Sequence, residues 1–370
     1  MSDDSTNLSF VLRAVHDTTF EERQVPRLRN EHDVKVRIMQ TGICGSDVHY
    51  WDKGRISDFV LTTPIVLGHE SAGVVVEIGS SVTNVKVGDR VAIEPGIPCR
   101  HCDYCRMGSY NLCPDTVFAA TPPHDGTLSK YYLVASDYCY LIPEHVDYEA
   151  AALIEPVASS VNMVRTGGVR GGQTVLVFGC GPIGVLCQAI CRAWGVARVI
   201  GVDVVQSRLD FAASFGAARK EDVYLPPKKP EGMDQMEWSA ALAKRMKNDL
   251  NLREGPDVVI EATGAEQCIQ TGIHILHKGG TFVQAGMGVE NVYFPISVAC
   301  VRALKFVGSI RYSTGCYPEA VRLVSTGAID VKKLITHRYE FKDAEKAFET
   351  VKKREEGTLK VMIAGVPDQQ

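Results

Sequence analysis

Charge of one sign is what this chain of 370 residues has little of: 40 Lys and Arg stand against 44 Asp and Glu, leaving a net charge of −4. That balance gives no electrostatic reason to expect a nucleic acid or an anionic membrane surface as partner. Long hydrophobic runs are also missing, and none approaches the roughly 20 residues of a membrane-spanning helix. The first residues, Met-Ser-Asp-Asp-Ser-Thr-Asn, are acidic and polar, unlike a secretory n-region or a basic transit peptide. The last four, Pro-Asp-Gln-Gln, hold no address signal. Internal repeats and low-complexity tracts do not occur. These absences point to a cytoplasmic protein without membrane segments, and the length suits two domains better than one core.

What the chain does have is cysteine, twelve in all. Four fall in one stretch, Cys99-Arg-His-Cys102-Asp-Tyr-Cys105-Arg-Met-Gly-Ser-Tyr-Asn-Leu-Cys113. That spacing lets a short loop fold four thiolates tetrahedrally around one structural Zn2+, and Arg100, His101 and Arg106 favour the deprotonated sulfurs. Two disulfides are the alternative, but so tight a loop would strain them, and nothing else signals an oxidising compartment. Others, such as Cys180, Cys187 and Cys191, lie in apolar runs and read as small buried hydrophobes.

Texture changes along the chain. From Leu8 to about Leu141 short β-rich segments alternate with Gly and Pro, as in Val34–Ile38, Ser71–Ile78 and Arg90–Ile93, which predicts a mostly β domain. From about Gly172 apolar strands alternate with helices: Thr174–Phe178, a helix from Pro182, Arg198–Asp203, a helix from Val205, Asp257–Glu261, Gly280–Ala285 and Lys305–Ile310. That α/β alternation predicts a doubly wound parallel sheet covered on both faces. Pro226–Lys247, rich in Lys, Pro and Met before it turns helical, reads as an excursion on the sheet surface without chemistry. After Tyr317 a helix, a strand from Ile335, a helix from Asp343 and Lys360–Ile363 are expected to rejoin the N-terminal domain.

Gly179-Cys-Gly181-Pro182-Ile183-Gly184 follows an apolar strand and opens a helix, with Asp203 ending the next strand. This is the dinucleotide fingerprint: Gly179 for the tight turn, Gly181 for close approach to a pyrophosphate, Gly184 for helix–strand packing, and the helix N-terminus for phosphate charge. Asp203 is expected to bind ribose hydroxyls and repel a 2′-phosphate, hence NAD rather than NADP. Arg208 either lies over the adenosine ribose or is an ordinary solvated helix arginine.

Three further stretches carry weaker signals singly. Thr41-Gly-Ile-Cys44-Gly-Ser46-Asp-Val-His49-Tyr50 sets a cysteine between glycines, and Gly68-His69-Glu70-Ser-Ala-Gly73 sets a histidine beside a carboxylate. Either alone fits a buried thiol or a satisfied core histidine. Glu155 interrupts the apolar Ala150–Ala158, where burying a carboxylate is costly without a partner.

Together with Val87-Gly-Asp-Arg-Val91, these motifs make nearly the whole chain resemble the zinc-dependent medium-chain dehydrogenase/reductase superfamily. Glu94–Cys99, Asn111–Pro114, Val117–Pro123 with Asp125–Thr127, and Gly308–Tyr312 make it similar to the polyol dehydrogenases within it, chiefly fungal xylitol dehydrogenases and sorbitol dehydrogenases. The resemblance implies a GroES-like catalytic domain, residues 1–160 with a structural zinc loop 96–114, a Rossmann domain 161–308, and a return to the catalytic domain over 309–370. It implies a homotetramer with two zinc ions and NAD per chain. Cys44, His69 and Glu70 would hold the catalytic zinc, with Glu155 a direct ligand or the holder of a bound water. Ser46, Tyr50, Phe118, Thr121, Arg311 and Tyr312 would meet the substrate in a cleft between domains. The implied reaction oxidises a polyol to a ketose, xylitol to D-xylulose foremost, with sorbitol and L-arabinitol as alternatives and a non-catalytic, crystallin-like nucleotide binder as the reading outside enzymes. Ser46 would relay the proton, with or without His49. The chain departs from relatives at Val157–Met163, where they carry a more apolar run ending in a histidine.

Overall fold

The computed structural model describes residues 6–367, so Met1–Ser5 and Asp368–Gln370, parts of the two termini read above, lie outside the described residues. The chain packs as two compact units, one joining the chain up to Pro156 with the chain from Ser313 on, the other Val157–Tyr312. These joints fall four residues from the expected positions 160 and 308. One reason is that the helix Ile154–Thr166 runs through the first joint, so no loop marks it in the sequence.

The first unit is built on a seven-stranded sheet. Its path runs Cys139–Leu141, Arg90–Ile93, Glu70–Ile78, Asp33–Gly42, Lys360–Ala364 and Ile335–Tyr339, and Tyr131–Ala135 also pairs with Asp33–Gly42. Val34, Val36 and Ile38 are buried while Lys35 and Arg37 between them are less so, the period-two pattern of a strand with one face on a core. The C-terminal strand Lys360–Ala364 lies antiparallel to Asp33–Gly42, placing Met362 opposite Gly42, while Gly42 faces Glu70 on its other side. The tail thereby returns to the N-terminal sheet. A second core forms around Phe10, Leu12, Trp51, Phe341 and Phe348, where the helix Ala344–Lys353 packs.

The second unit is a six-stranded parallel sheet. Numbered in chain order its strands are Thr174–Phe178, Arg198–Val202, Val223–Tyr224, Val258–Glu261, Thr281–Gln284 and Lys305–Gly308, and their spatial order is 3-2-1-4-5-6. Val175, Leu176, Val177 and Phe178 are all buried, as in a sheet covered on both faces. The order reverses between Thr174–Phe178 and Val258–Glu261, so the crevice at the C-terminal ends of those strands is where such a sheet takes a dinucleotide. The segment from Pro226 is more than an excursion. It leads into the helix Gln235–Asp249, capped by Asp234, whose Trp238, Leu242, Ala243 and Met246 join the core beneath the sheet. Its Lys-rich composition hid that apolar face. Cys180, Cys187 and Cys191 are fully buried, as their apolar settings predicted.

Candidate functional site

Cys44 caps the helix Gly45–Lys53, and Asp47, three residues on, returns the bond: the Cys44 N–H donates to Asp47 Oδ2 at 3.1 Å. Asp47 is buried, and its Oδ1 accepts from the Gly68 N–H at 3.0 Å and faces His69 Nδ1 at 3.2 Å. One carboxylate thus ties the cysteine turn to the histidine turn and holds the imidazole through Nδ1, leaving Nε2 as its ligand atom, the arrangement that supports metal-binding histidines. Burial opposes charge on His69, but the Asp47 carboxylate and the Cys44 thiol outweigh it and hold the ring well above the usual histidine value. Ser46 Oγ lies 3.5 Å from His69 Nε2.

Cys44, His69 and Glu70 each offer a ligand atom, and all three lie within 4.8 Å of one another. A thiolate, an imidazole and a carboxylate converging at one point suit Zn2+ with a fourth position left open. Room for the carboxylate is made by glycine: a Cβ on Gly42 would lie 2.3 Å from Glu70 Oε2. Glu155, at the start of its helix, is buried but falls outside that three-residue group. Burial raises its carboxyl to about 7, with His69 and Lys360 pulling it down and Glu70 and Asp47 pushing it up.

Phe118 is buried with its ring 5.7 Å from the His69 ring, Thr121 follows it in a turn, and Tyr50 is buried on the Gly45–Lys53 helix. His49 is half-buried on that helix, its basicity lowered by burial and by Lys53 and Arg354 against Asp52. Arg311 and Tyr312 belong to the other unit. Arg311 takes a left-handed φ of 52° and Tyr312 is buried. Asn162 pins the segment before them, donating to Ser309 Oγ at 3.2 Å and the Ile310 carbonyl at 3.4 Å.

The four loop cysteines also converge within 4.8 Å, and all twelve cysteines are free thiols. Their sulfurs are 4.0 Å apart for Cys99 and Cys105 and 3.5 Å for Cys102 and Cys105. Four sulfurs about 2.3 Å from a tetrahedral zinc stand about 3.8 Å apart, so the cluster fits the ion. Backbone N–H groups back the sulfurs, Cys99 donating to Cys113 and Cys102 to Cys99. Against burial, such donors lower the Cys113 thiol to about 7.

In the second unit Gly179 has φ +95°, and a Cβ on Gly184 would sit 1.8 Å from the Gly179 carbonyl, so neither tolerates a side chain. Gly181 caps the helix Pro182–Ala193 with open space before it, Pro182 takes the first helical turn, and Ile183 beside it is only half-buried. The first amides of that helix have no partner within it and face this space. Asp203 is buried, with Oδ2 accepting from the Cys180 N–H at 2.8 Å and Oδ1 from the Val205 N–H at 3.0 Å. Each oxygen keeps a lone pair for a ribose hydroxyl. Arg208 Nη1 stands 3.9 Å from Asp203.

Sequence reasoning gave no role to Asp47, Gly42 or Lys360. The capping-box spacing from Cys44 signalled Asp47, and a lysine opening the apolar Lys360–Ala364 strand signalled the third.

An open thiolate–imidazole–carboxylate site in the same chain as a dinucleotide cradle defines a metal-dependent alcohol dehydrogenase. Two family models agree: the Alcohol dehydrogenase GroES-like domain over residues 30–144 and the Zinc-binding dehydrogenase over residues 182–326. The chain belongs to the zinc-binding alcohol dehydrogenases of the medium-chain type. It is 49% identical over 360 residues, 97% of each chain, to D-xylulose reductase A of Aspergillus oryzae. An Escherichia coli CFT073 alcohol dehydrogenase solved with NADH aligns with a TM-score of 0.85 at 25% identity, covering 97% of this chain and 99% of that one. A zinc-binding dehydrogenase of Sinorhizobium meliloti bound to NADP aligns at 0.84 and 28%, covering 98% and 100%.

Proposed function

We propose that the chain oxidises xylitol at a secondary hydroxyl to D-xylulose with NAD, and reduces the ketose in reverse. The observation that carries this is the Cys44, His69 and Glu70 convergence, in a chain sharing half its sequence with a D-xylulose reductase. When bound, zinc acidifies the substrate hydroxyl and NAD accepts the hydride. The remaining work belongs to the protein. Cys44, His69 and Glu70 hold the catalytic ion, and Asp47 keeps His69 turned towards it. Glu155, buried outside that three-residue group, would hold a water beside the ion. Ser46 Oγ, beside His69 Nε2, takes the hydroxyl proton as it releases its own towards solvent, with His49 one helical turn away. Phe118, Tyr50 and Thr121 are the polyol contacts that the first unit supplies.

The second zinc belongs to Cys99, Cys102, Cys105 and Cys113. Gly179, Gly181, Pro182, Ile183 and Gly184 take the pyrophosphate, and Asp203, with Arg208 near it, selects NAD. The S. meliloti structure holds NADP, so that choice rests on Asp203 itself. Association of copies, as in the homotetramer, is supported by the terminal strand Lys305–Gly308, which leaves one edge of the parallel sheet unpaired and carries the exposed Phe306. A cytoplasmic setting is supported by the unpaired cysteines.

Initial rates of NAD reduction on xylitol, sorbitol, L-arabinitol and simple alcohols test the substrate. The highest kcat/KM is expected on xylitol. A higher value on L-arabinitol or sorbitol reassigns the substrate within polyols, and none on any polyol overturns the reading.

A further inference from the structure

Glu261 ends the strand Val258–Glu261, is fully buried, and has no ion pair among the described residues. A carboxylate in that setting has to be satisfied by donors. Oε1 accepts from the Thr263 N–H at 2.8 Å and from the Thr263 hydroxyl; Oε2 accepts from the Gly264 N–H at 2.8 Å and from Gln284 Nε2 at 2.9 Å. The Glu261 carbonyl accepts from the Ala285 and Gly286 N–H groups at 2.9 and 2.8 Å. One residue therefore binds two loops, the one after its own strand and the one after Thr281–Gln284.

Those loops touch backbone to backbone. A Cβ on Gly264 would lie 2.3 Å from the Gly288 nitrogen, one on Gly286 2.2 Å from the Gly264 nitrogen, and one on Gly288 1.9 Å from the Gly264 carbonyl oxygen. The knot also borders the fingerprint, since a Cβ on Gly179 would meet Thr263 Cγ2 at 2.9 Å. Beyond the knot, Met287 and Val289 present exposed apolar surface.

Strand order says which part of a dinucleotide comes here. Asp203 follows the strand on one side of Thr174–Phe178 and marks the adenosine half; Glu261 ends the strand on the other side. A dinucleotide laid across that crevice with its pyrophosphate on Gly181 sends its other half towards Glu261. We propose that Glu261 is a positioning residue for the nicotinamide half, fixing the 262–265 and 285–288 loops as a rigid wall for it. This rests on the dinucleotide reading above.

The test is Glu261→Gln, which replaces one acceptor oxygen by an NH2 group facing donors that then go unpaired. NADH binding to the zinc-loaded protein, followed by nicotinamide fluorescence, is expected to weaken at least about tenfold. AMP, which carries only the adenosine half, should bind within about twofold of wild type by calorimetry. Unchanged NADH binding overturns the proposal. Equal weakening of AMP also overturns it, because the residue then only supports the fold. Should that variant fail to fold, Thr263→Val decides: NADH about threefold weaker with AMP unchanged supports the role, and NADH unchanged refutes it. Wild-type protein that binds no NADH would instead sink the dinucleotide reading.

Discussion

Lys360 Nζ stands 2.8 and 2.7 Å from the two carboxylate oxygens of Glu70, 290 residues away in sequence, and donates to the Ile43 carbonyl at 3.1 Å. Their side chains are 6% and 1% exposed. Burial works against the ammonium, but Glu70 and Cys44 outweigh it and raise its pKa above the ordinary lysine value. The last strand of the chain thus supplies the charge that lets a carboxylate sit at the bottom of the metal site. Gly42, between the two strands, leaves the space for it.

Lys360→Met should leave that carboxylate buried without its partner. In chelator-treated protein the loss of unfolding free energy is expected at about 3–5 kcal/mol, the range for breaking a buried pair from one side. With zinc bound the loss should shrink, because the dication takes over the Glu70 charge. Urea denaturation with and without zinc checks this, and equal losses in both states would contradict it.

Glu94 should make the first unit lose stability as pH rises. It is fully buried between the hydroxyls of Tyr110, in the cysteine loop, and Tyr140, at 2.5 and 2.8 Å. Burial raises its carboxyl from 4.5 to about 7; the tyrosine bonds lower it and Asp137 raises it further. A raised folded value means a contribution fully present below 4.5 and lost as pH climbs through about 7, on the order of 3 kcal/mol. Glu94→Gln should remove that dependence. Unfolding free energies at pH 5 and pH 8 are the measure: wild type should fall more steeply than the variant, and parallel slopes would be the contrary result.

Metal removal should proceed in two stages. The four-cysteine site is closed, while the Cys44, His69, Glu70 site keeps a position open. Purified protein should hold two zinc ions per chain, and mild chelation should take the first together with activity while the fold persists. One zinc in fully active protein would remove one of the two sites.

Cofactor choice is expected to follow Asp203. Its like charge and unmade ribose bonds should favour NAD over NADP by about a hundredfold or more in kcat/KM. Val204 beside it is 74% exposed, so Asp203→Ala with Val204→Arg can offer a 2′-phosphate a partner without disturbing a core. Steady-state kinetics with both cofactors should show NADP use gained by the double variant. No gain would mean that Asp203 is not the selector.

Short-range features were legible in the sequence. The cysteine cluster spans fifteen residues and the fingerprint six, so spacing alone specified their geometry, and the apolar strands of the parallel sheet announced themselves by composition. Contacts that join distant segments were not legible. Nothing near Glu70 names Lys360, and nothing near Glu94 names Tyr140. The cap spacing in Cys44–Asp47 indicates a helix start, but only the fold brings His69 to that carboxylate. The helix Ile154–Thr166 is not legible, because the apolar run around Glu155 shows no helical period and no turn residue marks where it starts. The helical turn of Pro226–Lys247 is legible in the sequence, but the buried face of Gln235–Asp249 is not, because charged residues separate Trp238, Leu242, Ala243 and Met246.

The most direct test of the whole account is the product of xylitol oxidation. Purified, zinc-loaded protein with xylitol and NAD should form one NADH per D-xylulose, identified by chiral chromatography against D- and L-xylulose standards, and the rate should vanish on chelation and return with zinc. L-xylulose as the product, or a rate indifferent to zinc removal, would contradict the proposed reaction.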